Sequence, residues 1–210
     1  MRRVISLGLA FTACATVLSA CGSSGGSAAH TPTSRSGARP AAPTSGTRPN
    51  APEVSPSGDI PDNQAFVKYT SADGTYSLQV PEGWARTDSG SATTFTAHYN
   101  SIRIEATKMP AAPTAATARS TDVPALERAV SGFALGNVSS VTRTAGQAVL
   151  LTYRAASVAD AVTGKSVVLD VERYAFWRNG TEVALTLSAP QGSDNVDPWK
   201  KVTNSFSWSA

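Results

Sequence analysis

Short runs of alternating apolar and polar residues, separated by turn-forming residues, fill the second half of the chain. Phe66–Tyr69 and Tyr76–Val80 read as strands around the turn Ala72-Asp73-Gly74-Thr75; Pro81-Glu82-Gly83 stops the second, and Trp84 follows as a large anchor. Thr94–Tyr99 and Ile102–Ala106 form a predicted hairpin turning at Asn100-Ser101. Val138–Thr144 and Gln147–Ala155 add two strands. Val167–Ala189 is a long hairpin across Arg178-Asn179-Gly180. Asn-Gly usually marks a two-residue turn pairing Arg178 with Thr181. That register mixes polar and apolar residues on both faces. A three-residue loop pairs Trp177 with Thr181 instead, sets Val171 against Leu187 and Ala175 against Val183, and leaves Asp170, Glu172 and Glu182 on a polar face. One buried face therefore favours the three-residue loop, with Arg173 as its misfit.

The period changes from two to 3.6 in two places. Leu126, Ala129, Val130 and Phe133 recur at helical spacing after Pro124, with Asp122 or Thr121 as cap and Gly132 as stop. Asp197-Pro198 starts a second helix carrying Trp199, Val202 and Phe206 on one face, with Lys200 and Lys201 outward. The expected fold class is α+β, an antiparallel β-sheet flanked by helices.

The first half has no such pattern. Met1-Arg2-Arg3 precedes about 15 uncharged, largely apolar residues, fewer than the roughly 20 of a spanning helix, and this is the arrangement of a secretory signal. Val4-Ile5-Ser6-Leu7 after the arginine pair lacks the phenylalanine and lysine of a twin-arginine motif, so the pair reads as a plain positive end and Sec as the export route. The end, Leu18-Ser19-Ala20-Cys21-Gly22, resembles the lipobox of bacterial lipoproteins. The resemblance implies acylation of Cys21, cleavage between Ala20 and Cys21, and a protein held by its lipid on the outer face of the plasma membrane. An ordinary secreted protein cut near Ala20 is the alternative. Cys14 leaves with the signal, so the mature domain would have neither thiol nor disulfide, and thiol catalysis and cysteine-ligated zinc drop out.

Three segments follow: a signal peptide over 1–20, a tether over 21–61 and a globular domain over 62–210. The tether is rich in Ser, Gly, Ala, Thr and Pro, with Val54 its main aliphatic residue before Ile60. Such a composition cannot offset its ordering entropy and predicts a disordered spacer spanning about 35 Å. Its Gly22-Ser23-Ser24-Gly25-Gly26 matches a hydrolase elbow pattern by chance, having neither strand before it nor helix after it. The whole chain carries a net charge of +3, but 13 Lys/Arg balance 13 Asp/Glu from Asp62 onward. The domain is neutral, which argues against a nucleic-acid partner.

Candidate chemistry is sparse. His98 is the one histidine past the tether; it lies opposite Phe95 and Ala97 in alternation, hence on a surface or rim. Asp170 and Glu172 share a strand face and could begin a calcium site, but no further oxygen ligands accompany them, and a solvated face explains the pair. No catalytic, cofactor-binding or metal residue is assigned. Tyr174 and Trp177, near one hairpin end, are candidates for a contact patch, although most aromatics of a small domain belong to its core.

The run Asp73–Trp84, with its Tyr76…Val80-Pro81-Glu82-Gly83-Trp84 core, and the closing helix with Trp199 and Ser205-Phe206 resemble the PsbP-like domain, in particular actinobacterial lipoproteins of the LpqN/LpqT type. The likeness covers about residues 64 to 208. It implies a curved antiparallel sheet flanked by helices and brings no active site, since the broader group comprises binding and accessory proteins. Plant members support the oxygen-evolving complex and a nuclear relative binds a small GTPase, but none of their functional residues can be matched here. The expectation is a non-enzymatic envelope lipoprotein, without cofactor, whose domain binds an envelope protein or an envelope lipid or glycan. The alternatives are an envelope hydrolase built around His98 and a metal- or solute-binding protein.

Overall fold

The computed structural model describes residues 58–160 and 162–209; Ala20, Cys21 and the expected signal peptide lie outside them, as does most of the tether. Two antiparallel sheets face each other. The smaller has the order β1-β2-β10, from β1 (Phe66–Thr70), β2 (Tyr76–Pro81) and β10 (Ser207–Trp208). The larger has the order β3-β4-β5-β9-β8-β7-β6. Its strands are β3 (Ala85–Ser89), β4 (Ala92–Ala97), β5 (Asn100–Lys108), β6 (Ala134–Arg143), β7 (Gly146–Ala156), β8 (Val168–Arg178) and β9 (Thr181–Pro190). Neighbours in sequence mostly pair as hairpins; β5 to β9 is the long-range junction. The fold class is the expected α+β.

Both faces of the large sheet are covered. On one side Ile102, Ile104, Phe176, Val183, Leu185 and Leu187 pack against Tyr76, Leu78 and Val80 of the small sheet and against the helix α3 (Val196–Ser205). On the other, Val138, Leu151, Tyr153 and Val171 pack beneath a helical layer that contributes Ala118, Leu126 and Val130. This double burial corrects the predicted β8–β9 register. Arg178 pairs with Thr181, Trp177 with Glu182 and Ala175 with Ala184, so the turn is the two-residue Asn179-Gly180. Both turn residues have positive φ, 49° and 78°, as a type I′ turn needs. Alternation misleads here because no face of this hairpin has to be polar: seven of the ten β9 residues are buried, on both of its faces.

The β4–β5 turn also moves. It falls at His98-Tyr99 rather than Asn100-Ser101, and His98 adopts φ 52°, a region that histidine enters more readily than most residues. Asn100 is drawn into the strand because its side chain is buried and accepts from Asn195 Nδ2 at 3.3 Å. The same Asn195 accepts from the Ile60 amide at 2.7 Å, tying the start of the domain to the start of α3.

The helical layer starts earlier than expected. Thr114 and Thr117 form a reciprocal cap on α1 (Ala115–Thr117), a π-helical segment follows over Ala118–Asp122, and α2 covers Val123–Ala129. Asp122 is therefore interior to one helical run and caps nothing. Arg119 donates to the Val138 carbonyl at 2.6 Å, satisfying an acceptor on the edge strand β6. Along that strand Gly136 sits where the register shifts between Leu135 and Asn137. A Cβ there would come within 2.7 Å of Thr152 Oγ1 and 3.0 Å of its carbonyl. Gly136→Ala should destabilise the domain by about 1–3 kcal/mol through this overpacking. Thermal denaturation reads the effect, and an unchanged Tm refutes the crowding argument.

Candidate functional site

At one end of the sandwich the apolar face of the large sheet runs out and the two sheets part, leaving an open cleft of about 900 Å³. The β1–β2 turn, the β3–β4 hairpin tip, the end of β5, the β8–β9 turn and Trp208-Ser209 converge on it. Nearest the apolar floor are Tyr69, Tyr76 and Trp208, and hydroxyl residues surround them. Ligand sites are concave and combine apolar surface with convergent polar groups; this cleft has both and is richer than most in the polar kind.

One wall is a hydrogen-bonded chain. Tyr69 Oη lies 3.0 Å from Thr93 Oγ1, and Thr93 Oγ1 donates to Asp88 Oδ1 at 2.7 Å. Arg86 bonds Asp88 from its other side at 3.1 Å and stacks its guanidinium 5.1 Å above the Tyr69 ring. The Thr93 hydroxyl and then Arg86 hold the Asp88 carboxyl below the usual carboxylate range. Asp73, in the β1–β2 turn, is lowered likewise, by the Ser71 hydroxyl and then by the amide and hydroxyl of Thr75. Both remain ionised acceptors. Burial pushes the Tyr76 phenol up to about 12, with Tyr69 and Asp73 adding to the effect, so it stays neutral.

Another stretch of the lining, further along the same face of the large sheet, is basic. Lys108 of β5 is paired with Thr181 of β9, and Thr181 with Arg178 of β8. Directly opposed residues share a face, and all three line the cleft. Lys108 Nζ donates to Thr181 Oγ1 at 3.0 Å, and Arg178 donates to the Ser209 carbonyl at 3.2 Å. Among the described residues neither cation has a carboxylate partner.

The residues singled out from sequence lie elsewhere. His98 is exposed at the β4–β5 turn, at the far end of β4 from the cleft. Tyr174 does not form a surface patch: it is 2% exposed, because the true register turns it into the main core beside Phe176. Its hydroxyl donates to Glu172 Oε2 at 2.7 Å and accepts from Arg143 at 2.8 Å, and Arg143 reaches Thr203 of α3 at 3.1 Å. Burial and then Glu172 raise the Tyr174 phenol to about 12. Trp177 is half-buried, and its indole donates to the Met109 carbonyl at 2.9 Å, pinning the segment after β5. Trp84 packs at the margin of the main core. Asp170 and Glu172 share a face as expected, yet Asp170 pairs with Arg154 at 3.3 Å and Glu172 is taken by Tyr174. They line a smaller hollow of about 460 Å³ beside Trp199. Among the described residues no three His, Cys, Asp or Glu side chains cluster for a metal.

Sequence reasoning missed Arg86, Asp88, Lys108, Arg178 and Trp208. Arg86 and Asp88 stand in a strand with no apolar alternation, and the basic pair is assembled only by the β5–β9 junction, which joins residues about 70 positions apart. No local spacing could disclose it.

No protein-family model matches the chain, and no curated protein does. Solved structures do. Cyanobacterial PsbP (CyanoP) from Synechocystis sp. PCC 6803 superposes with a TM-score of 0.50 at 16% identity, over 74% of this chain and 99% of its own. LpqN of Mycobacterium tuberculosis, involved in cell envelope biogenesis, gives 0.43 at 15% identity, over 71% and 93%. The Saccharomyces cerevisiae Ran-binding protein Mog1p gives 0.44 at 10% identity, over 68% and 95%. At such identities the likeness speaks for architecture alone, and that architecture, a twisted antiparallel sheet with helices on its faces, is the PsbP-like fold.

Proposed function

We propose that this protein is a lipid-anchored binding module of the cell envelope, without catalysis of its own, whose ligand or partner seats in the cleft between the two sheets. The observation that carries this reading is the cleft itself: a broad, hydroxyl-rich opening whose charged side chains are already held in hydrogen bonds. Its carboxylates have pKa values pushed down, which makes them fixed acceptors; a general acid or base at neutral pH needs the opposite shift. His98 stands apart from it. The lipobox-like Leu18–Gly22 supports placement on the outer face of the plasma membrane through acylated Cys21, after export by Sec, with the tether holding the domain clear of the bilayer.

Two measurements test the parts separately. Cys21→Ala should abolish membrane retention, releasing the protein or leaving it unprocessed; undiminished retention in membrane fractions refutes the anchor. A pull-down from solubilised membranes, together with lipid and glycan binding assays, tests the module. Failure of all of these to give a specific ligand or partner for the intact protein sinks the binding reading.

A further inference from the structure

We propose that the cleft takes a phosphorylated sugar, with its phosphate on Lys108, Thr181 and Arg178 and its hydroxyls facing the Asp73 and Asp88 wall. The proposal rests on the reading of this cleft as the binding site and names the chemistry it selects.

Three observations converge on that class. The first is the basic row across β5, β9 and β8. Adjacent strands are about 4.8 Å apart, so Lys108 and Arg178 flank the Thr181 hydroxyl from its two sides. Lys108 uses one donor on Thr181 and Arg178 one on Ser209, and among the described residues the remaining N–H groups of both have no side-chain or backbone acceptor. Two cations on the strands either side of a hydroxyl suit a phosphate, whose oxygens accept several charge-assisted bonds at once. Neither cation is neutralised by a carboxylate among the described residues, whereas Arg86, which also lines the cleft, is.

The second is the acceptor wall. Asp88 is compensated by Arg86, so this side supplies carboxylate oxygens without adding net negative charge, and Asp73 supplies another at the β1–β2 turn. Carboxylate acceptors apart from the basic row are what a polyol's hydroxyl donors need. The third is the floor. Trp208 lines the cleft, half-buried, its ring edge-on to Phe206 at 5.1 Å, offering an apolar surface to the carbon face of a sugar ring. A bare phosphate would use one wall only, and a neutral sugar would leave the cations unpaired.

Titration calorimetry on the full-length protein in detergent tests the assignment. Glucose 1-phosphate should bind more tightly than glucose or inorganic phosphate, and its affinity should fall as salt is raised. The double substitution Lys108→Ala with Arg178→Ala should weaken it at least about tenfold. Arg103→Ala, which removes an exposed cation on the other face of β5, should leave it unchanged. Both lysine and arginine are exposed, so the double variant should fold, and an unchanged Tm checks this. The phosphosugar could be free or a lipid headgroup. Retention on phosphatidylinositol over phosphatidylcholine vesicles, displaced by glucose 1-phosphate and reduced in the double variant with its identical anchor, identifies the headgroup. Binding of the soluble ester alone identifies a free or polymer-borne phosphosugar. Affinity that ignores the double substitution, or a preference for phosphoethanolamine, overturns the proposal. Specific capture of a protein or a neutral glycan in the cleft likewise overturns it and leaves the binding module standing; the binding module falls only if the broader ligand search is empty.

Discussion

Arg173→Ala should destabilise the domain by about 3–5 kcal/mol, the usual cost of removing one partner from a buried charge group. Arg173 sits on the face of β8 that the helical layer covers, and its guanidinium meets Glu182 Oε1 at 3.3 Å, with side chains 22% and 9% exposed. Burial raises the pKa of Glu182, with Arg173 opposing and nearby Asp122 reinforcing the rise. Asp122, at the end of the π-helical segment, is raised by burial against the pull of the same arginine. One cation thus serves two carboxylates from opposite layers, and its loss leaves both without compensation. For a domain of this size the loss corresponds to a fall in Tm of about 10 °C or more. A change within about 2 °C would refute the shared-cation account.

The two carboxylates also fix a sign for pH. Their folded-state pKa values lie above the unfolded ones, so the stability they contribute is present at low pH and is lost as pH rises through the folded values. Asp73, Asp88 and Asp160 are lowered and act in the reverse sense, but they are exposed and screened. Glu182→Gln removes one buried titration. Relative to wild type, this variant should gain stability as pH rises above the ordinary glutamate value of 4.5, where the buried carboxyl is forced to ionise. Parallel curves of denaturation midpoint against pH would show that Glu182 does not titrate in this way.

Phe206→Ala is the second large effect, about 3–5 kcal/mol for removing a fully buried aromatic. Phe206 follows α3 directly and stacks on Phe176 of the large sheet at 4.5 Å, while touching Tyr76 of the small sheet and Trp208. It is where helix, small sheet and large sheet meet. Its truncation should also loosen β10, which pairs with β2 through only Ser207 and Trp208. Hydrogen exchange should show β10 and the β1–β2 turn opening more than the α1–α2 layer, which belongs to the other core. Uniform acceleration throughout would contradict that division.

How far the sequence discloses this protein depends on the range of the interaction. Tyr76–Val80, the turn at Gly74, and the α3 face of Trp199 and Val202 follow from local rules and stand where those rules put them, while Phe206, expected on the helix, caps its end in extended backbone. The Asn179-Gly180 turn is equally local, and the dipeptide alone points to the two-residue turn observed. Assuming a single buried face overrides that signal wrongly, because periodicity cannot tell how many layers will pack on a strand. The same assumption places Tyr174 outside when it is among the least exposed aromatics. β3 escapes detection because all five of its residues are exposed and none repeats an apolar period. The cleft depends on pairings between β5 and β9 and between β10 and β2, which join distant parts of the chain, so its composition is fixed by topology and by no motif.

The π-helical turn over Ala118–Asp122 has a simple arithmetic. The inward positions of the helical layer run Ala115, Ala118, Val123, Leu126 and Val130, steps of three, five, three and four. A plain α-helix keeps one face down with steps of three and four, so the step of five would swing everything after it by roughly 100°. The wider π turn absorbs the surplus residue and returns Val123 to the sheet. In this sense the layer carries one residue more than its packing requires, stored at exposed Ser120 and Thr121. That extra residue is also what lets the run tuck Asp122 toward Arg173 while Arg119 reaches out to the edge of β6.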